Sequence, residues 1–172
     1  MLALLIILAA PLAHAESSNS IRFAKRLLKV SGTPEQFESK AEQQTRAIIR
    51  TYLSIVNMSV DVRLPAHITS RIADCYRVAY AWENFEDGIA EIVSQEMNDN
   101  EMLLLIDFYQ DLGLPPSEID TFKATLAKVP EIQEFSANFI FSESVGCVQQ
   151  DAKIINQYLS EVGSPLYISS AP

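Results

Sequence analysis

Apolar positions recur at spacings of three and four residues along almost the whole chain, a period that predicts helices rather than strands. Ser20 is expected to cap a first helix with Ile21, Ala24, Leu27 and Leu28 on one face, closed at Ser31-Gly32 by the left-handed geometry glycine allows. Thr33-Pro34-Glu35-Gln36 is a second start signal, with Thr at the N-cap, Pro at the first helical position and Gln two further on. The helix it opens reaches about Asn57 and buries Phe37, Ala41, Ile48, Ile49, Tyr52, Leu53 and Val56. Val60, Val62 and Leu64 alternate briefly, but no second alternating run exists to pair with them, so Ser59 to Leu64 reads as an extended linker.

Pro65 opens a third helix through Ile68, Ile72, Cys75, Ala79 and Trp82, with a break near Glu83-Asn84 before Phe85, Ile89, Ile92, Val93 and Met97 resume the period. Asn98-Asp99-Asn100 caps a helix from Glu101 to Leu112 whose Met102, Leu105, Ile106 and Tyr109 point inward, and Gly113 ends it. Ser117, after Pro115-Pro116, is expected to cap the next helix, with Ile119, Phe122, Leu126 and Val129 in a row. After Pro130 one last helix is expected to run to about Val162, carrying Ile132, Phe135 and Phe139, then Val145, Val148, Ala152, Ile155, Leu159 and Val162. Gly146 inside it reads as a close-packing position rather than a kink. The expectation is an all-α single domain of six or seven antiparallel-packed helices over residues 16–163, with residues 164–172 a flexible tail.

Residues 1–15 form a different pattern. Leu2 to Ala10 is unbroken apolar chain, followed by Pro11 and by Ala13-His14-Ala15, with small residues at the two positions signal peptidase reads. This predicts a secretory signal cut after Ala15 and a periplasmic chain starting at Glu16. No Lys or Arg precedes the apolar run. The run is shorter than the about 20 residues a membrane span needs, and no second run approaches that length. The residue after the cut is not cysteine, so no lipid anchor is expected. The chain carries 13 basic and 22 acidic residues, a net charge of −9, which disfavours nucleic acid and anionic membrane surfaces as partners.

Export changes the reading of Cys75 and Cys147, the chain's two cysteines. An even pair in an oxidising compartment points to a disulfide, here a clamp between the third and last helices. Two separate buried thiols are the alternative. A redox-active pair is not expected without Cys-x-x-Cys spacing.

Candidate chemistry is sparse. His67 is the one histidine after the predicted cut, in a first helical turn at the surface, so multi-histidine metal sites are not expected. No Gly-x-Ser-x-Gly turn accompanies it. Glu83, Glu86, Asp87 and Glu91 gather beside Trp82 and Phe85; on one helix, Glu83 and Asp87 would share a face, as would Asp87 and Glu91. Adjacent carboxylates can raise one another's pKa and act as acid and base, or hold calcium, but the usual reading is a solvated acidic face. Ser142-Glu143-Ser144 contains the Glu-Ser pair that exported helical lytic transglycosylases use as general acid, without their downstream Gly-Leu-Met-Gln pattern. Glu143 and Glu83 are thus the catalytic candidates. Phe135, Phe139, Phe141 and Tyr158 read as core, or alternatively as the lining of an apolar-ligand cavity. No cofactor and no metal are expected.

Two blocks together carry a family resemblance. Ile21-Arg22-Phe23-Ala24-Lys25-Arg26-Leu27-Leu28 ends at Gly32, and Asn98-Asp99-Asn100-Glu101-Met102 leads to Asp107-Phe108-Tyr109, Gly113 and later Pro130-Glu131-Ile132. Over about residues 21–140 the chain resembles the exported bacterial family called domain of unknown function 2059. Gln110-Asp111-Leu112 stands where that family tends to have Ser-Pro. The resemblance implies an α-helical periplasmic protein and brings no catalytic residues. The functional expectation is an exported helical interaction or scaffolding module acting on a protein or cell-envelope partner. The alternatives are a carboxylate-dependent peptidoglycan hydrolase and an apolar-ligand carrier.

Overall fold

A computed structural model describes residues 13–60, 62–144 and 146–163, with side chains from residue 18 onward. The predicted signal core and the tail after Gly163 lie outside the described residues, and Ala15 falls in the first turn of the first helix. Among the described residues the chain is all-α: α1 (Ala13–Val30), α2 (Thr33–Val60), α3 (Ala66–Ala79), α4 (Glu86–Glu96), α5 (Asp99–Tyr109), α6 (Ile119–Leu126), α7 (Val129–Glu143) and α8 (Cys147–Glu161). Short 3-10 turns at Trp82–Asn84 and Pro116–Glu118 precede α4 and α6. No helix among the described residues is long and apolar enough to cross a membrane.

The helices group into two compact units interleaved along the chain. The first holds the chain up to Gly32 and Glu86–Ala137; the second holds Thr33–Phe85 and the chain from Asn138. In the first, α1 packs on both α4 and α5. Ala24, Leu27 and Leu28 of α1 are buried, as are Ile89, Ala90 and Val93 of α4 and Met102, Leu105 and Ile106 of α5. Each large aliphatic side chain so buried contributes about 1.5–3 kcal/mol. Asn98 and Glu101 form a capping box at the start of α5. The Glu101 N–H donates to Asn98 Oδ1 at 3.0 Å, and the Asn98 N–H donates to Glu101 Oε2 at 2.9 Å. Lys128 bridges α4 and α5: its Nζ donates to the last carbonyl of α4, Glu96 O, at 3.0 Å and to Glu101 Oε2 at 2.8 Å.

In the second unit α3 packs on α2 and on α8. Val56, Leu64, Ile68, Ile72, Tyr76, Cys147, Ile154, Ile155 and Leu159 form its core. Ile48, Ile49, Tyr52 and Leu53 of α2 pack against that core while partly buried. Phe37 sets its ring against Trp82 at 5.6 Å and Phe85 at 5.4 Å between centroids, and Phe139 meets Phe85 edge-on at 6.3 Å.

Several expected features differ. Ser20 lies inside α1, where its hydroxyl donates to Asp99, because the helix begins seven residues earlier. Ser117 lies in the 3-10 turn and caps nothing; no side chain caps α6. The break after α3 is real, and Trp82 falls in the turn rather than on α3. The expected last helix is two: Gly146, at φ 102°, takes a left-handed conformation between α7 and α8, which makes eight α-helices among the described residues. A Cβ there would meet nothing within 4 Å, so backbone conformation rather than close packing selects glycine.

Candidate functional site

The second unit holds the expected disulfide. Cys75 on α3 and Cys147 at the start of α8 are bonded with Sγ atoms 2.15 Å and Cα atoms 5.9 Å apart. One turn beyond Cys147, Asp151 is fully buried, and beside Cys75, Tyr76 is nearly so. The Tyr76 hydroxyl donates to Asp151 Oδ2 at 2.8 Å. The half-buried Tyr52 hydroxyl lies near both, and Asp151 Oδ1 still closes no hydrogen bond among the described residues. Burial raises the Asp151 pKa above the usual aspartate value against the opposing pull of the two phenols. Burial also pushes the Tyr76 and Tyr52 phenols up, and the Asp151 carboxylate adds to the effect. An open groove of about 530 Å³ borders the disulfide, with Arg71, Asp74, Val78, Ala79 and Gln150 in its wall. The Tyr–Asp pair is thus enclosed within the second unit, with Tyr76 itself a member of the core.

The first unit presents the opposite arrangement. The row Ile119, Phe122, Leu126 reads from sequence as a core face, yet Ile119 is 39% and Leu126 41% exposed, and the buried residue of α6 is Thr125. Tyr109, expected inward, is 46% exposed. Phe108, 44% exposed, sets its ring 4.8 Å from Phe122 and 5.7 Å from Tyr109, joining the end of α5 to the α6 row. Leu112, 70% exposed, extends the same end of α5; its N–H donates back to Asp107 O at 3.0 Å. The chain turns there through Asp111 at φ 57° and Gly113 at φ 82°. Large apolar side chains standing together in water mark interaction surfaces more often than single exposed ones do.

The residues singled out from sequence are scattered. Glu83 lies in the 3-10 turn and Glu143 at the end of α7, and both are exposed. Neither is partly buried in a cleft. Glu83 and Asp87 do not share a helix face, because Phe85 separates the turn from α4; Glu86 and Asp87 flank Lys25 instead. The Asp87 hydrogen bond raises the Lys25 pKa. His67 is exposed, its ring edge-on to Tyr158 at 6.4 Å. Phe135 and Phe141 are exposed, and no member of the Phe135, Phe139, Phe141, Tyr158 set lines the groove at the disulfide. Among the described residues no group of three or more His, Cys, Asp or Glu could hold a metal ion. Tyr76 and Asp151 went unnoticed in the sequence. The available signal was Asp151 four residues after Cys147 and four before Ile155, a polar residue on a stripe that must face the core once Cys147 is bonded. The chain matches no protein-family model, no curated protein and no solved structure.

Proposed function

We propose that this chain is an exported, non-catalytic helical interaction module that binds a protein partner through its first unit. The observation that supports this reading is the exposed apolar row of Phe108, Tyr109, Ile119 and Leu126, joined through the Phe108–Phe122 contact, with exposed Leu112 three residues beyond Tyr109. Export is supported by the Leu2 to Ala10 run with its Ala13-His14-Ala15 cleavage pattern, and by a disulfide, which persists in oxidising compartments. Edman sequencing of the periplasmic protein beginning at Glu16 is the expected result for that part. The likeness to an exported helical family points to the same address.

The function is tested by placing p-benzoylphenylalanine in place of Leu112 in intact cells and, as control, in place of Glu134, an exposed residue of α7. A discrete crosslinked protein from position 112 and none from position 134 is expected. Turnover of a peptidoglycan or peptide substrate by the purified protein, abolished by Glu143→Gln, would overturn the reading.

A further inference from the structure

We propose that the open face of the first unit receives a peptide segment in which apolar side chains are flanked by Lys or Arg; the inference rests on the interaction reading above and specifies its partner. The apolar strip is continuous. On α6, Ile119, Phe122 and Leu126 follow one another at three- and four-residue spacing, so they share one helix face about 10 Å long. Phe108 touches Phe122 across the α5–α6 contact, and Tyr109 touches Phe108. The strip is held by the fold before any partner arrives: backbone hydrogen bonds from Gln110, Asp111 and Leu112 close the end of α5, and the Arg26 side chain donates to Gln110 Oε1 at 2.9 Å. Little ordering entropy is left for binding to supply.

Charge selects among partners. Asp107 and Asp111 lie at the α5 end of the strip, Glu118 and Asp120 at the α6 end. Of the nearby cations, Arg26 is turned to Gln110, Lys123 lies 3.8 Å from Asp120, and Lys128, two residues after Leu126, is held by Glu101 and by Glu96 O. With Lys128 already paired to Glu101, the four carboxylates outnumber Arg26 and Lys123, in a chain whose net charge is −9. A second copy of this chain seated face to face would bring the same carboxylates against each other, a like-charge juxtaposition that complementary interfaces avoid. Anionic lipid and nucleic acid meet the same repulsion. A segment with Leu or an aromatic residue between Lys or Arg places its apolar groups on the strip and its cations on Asp107, Asp111, Glu118 and Asp120.

The test uses the purified full chain with its disulfide intact and a fluorescein-labelled amphipathic peptide of about 14 residues built from Leu and Lys at helical spacing. The control peptide carries Glu at every Lys position. Saturable binding of the Leu/Lys peptide in fluorescence anisotropy is expected, with none for the Leu/Glu peptide. Leu112→Ser and Ile119→Ser, both at exposed positions, should each weaken binding about fivefold or more if the strip is the seat. The pair Asp111→Asn and Asp120→Asn should weaken it about threefold or more, and raising salt from about 0.05 M to about 0.5 M should do the same. Glu131→Gln with Glu134→Gln, on exposed α7 positions, should leave it unchanged; an equal loss there means nonspecific charge attraction and overturns the proposal. Equal binding of the Leu/Glu peptide, or no effect of Leu112→Ser and Ile119→Ser, also overturns it. Crosslinking from position 112 in cells without Leu/Lys binding in vitro refutes the charge inference while the interaction reading stands. Failure of both refutes the two together.

Discussion

Glu101 in the first unit and Asp151 in the second are both withdrawn from water, and their partners give them opposite proton affinities. Burial alone would raise both. At Glu101 that tendency is overcome by the Lys128 ammonium and the Asn98 N–H, and the carboxyl is held below the usual glutamate value of 4.5. At Asp151 the available donors are two neutral phenols, and burial prevails over them, lifting the carboxyl above the usual 3.8. The Lys128 ammonium sets a full positive charge against the carboxylate, which the neutral phenols do not supply. The lesson is that a carboxylate can be enclosed for two different ends. Glu101 is ionised and ties three structural elements together. Asp151 is a fully buried group one turn beyond the disulfide-bonded Cys147.

That contrast can be broken most forcefully at the disulfide. Removing the bond with Cys75→Ser and Cys147→Ser, across a sequence separation of 72, should cost about 4 kcal/mol on the chain-entropy account. The loss should fall on the second unit, read by Trp82 fluorescence and by hydrogen exchange of α3 and α8. Equal deprotection of α4 and α5 would show that the two units unfold as one body.

Next in size, Tyr76→Phe removes the Tyr76 hydrogen bond to Asp151 Oδ2 and should cost about 1–3 kcal/mol at neutral pH, measured by urea unfolding. The pH dependence sharpens the same point. The folded state binds the Asp151 proton more tightly than the unfolded state does. Its contribution is therefore full below 3.8 and is lost as pH rises through the raised folded value. Asp151→Asn should flatten that part of the profile; an unchanged profile would remove Asp151 from the account.

A smaller effect is expected at the first unit. Glu101→Gln should cost about 1 kcal/mol by weakening the capping box and the Lys128 bridge. Its pH slope has the other sign: the depressed folded pKa gives stability that is present above 4.5 and lost as pH falls through the folded value. Parallel slopes from the two units would break the comparison. Smallest of all, Glu83→Gln and Glu143→Gln should change stability by no more than about 0.5 kcal/mol and leave crosslinking from position 112 intact, because both side chains are exposed.

Features written in local chemistry could be read from the chain alone. Gly32 sits at φ 70° after α1, Asn98 and Glu101 form their box, and Pro65 precedes α3, as residue preferences anticipate. The cysteine pair is legible because two cysteines leave one partner each. Gly146 was not, because Val148, Ala152, Ile155 and Leu159 continue the three- and four-residue spacing, which records side-chain polarity and not backbone φ. The α6 row was misplaced for a related reason. Apolar period identifies a face but not whether anything covers it, and here the covered residue is Thr125, whose hydroxyl is satisfied by Thr121 O at 2.9 Å. Asp151 escaped because a lone aspartate in a helix defaults to solvent until a neighbour on its stripe is bonded.

The interleaving of the two units has a consequence for the order in which the molecule can assemble. Ribosomal synthesis delivers α2 and α3 early, but the helix that seals them, α8, follows only after α4, α5, α6 and α7. Until it emerges, the Cys75 thiol has no partner within the chain, and Ile68 and Ile72 lack the Ile154, Ile155 and Leu159 that complete their core. A nascent chain stalled or cut before Cys147 would therefore present a reactive thiol and a sticky half-core at once. Completion of α8 is the step that turns a vulnerable intermediate into a sealed one.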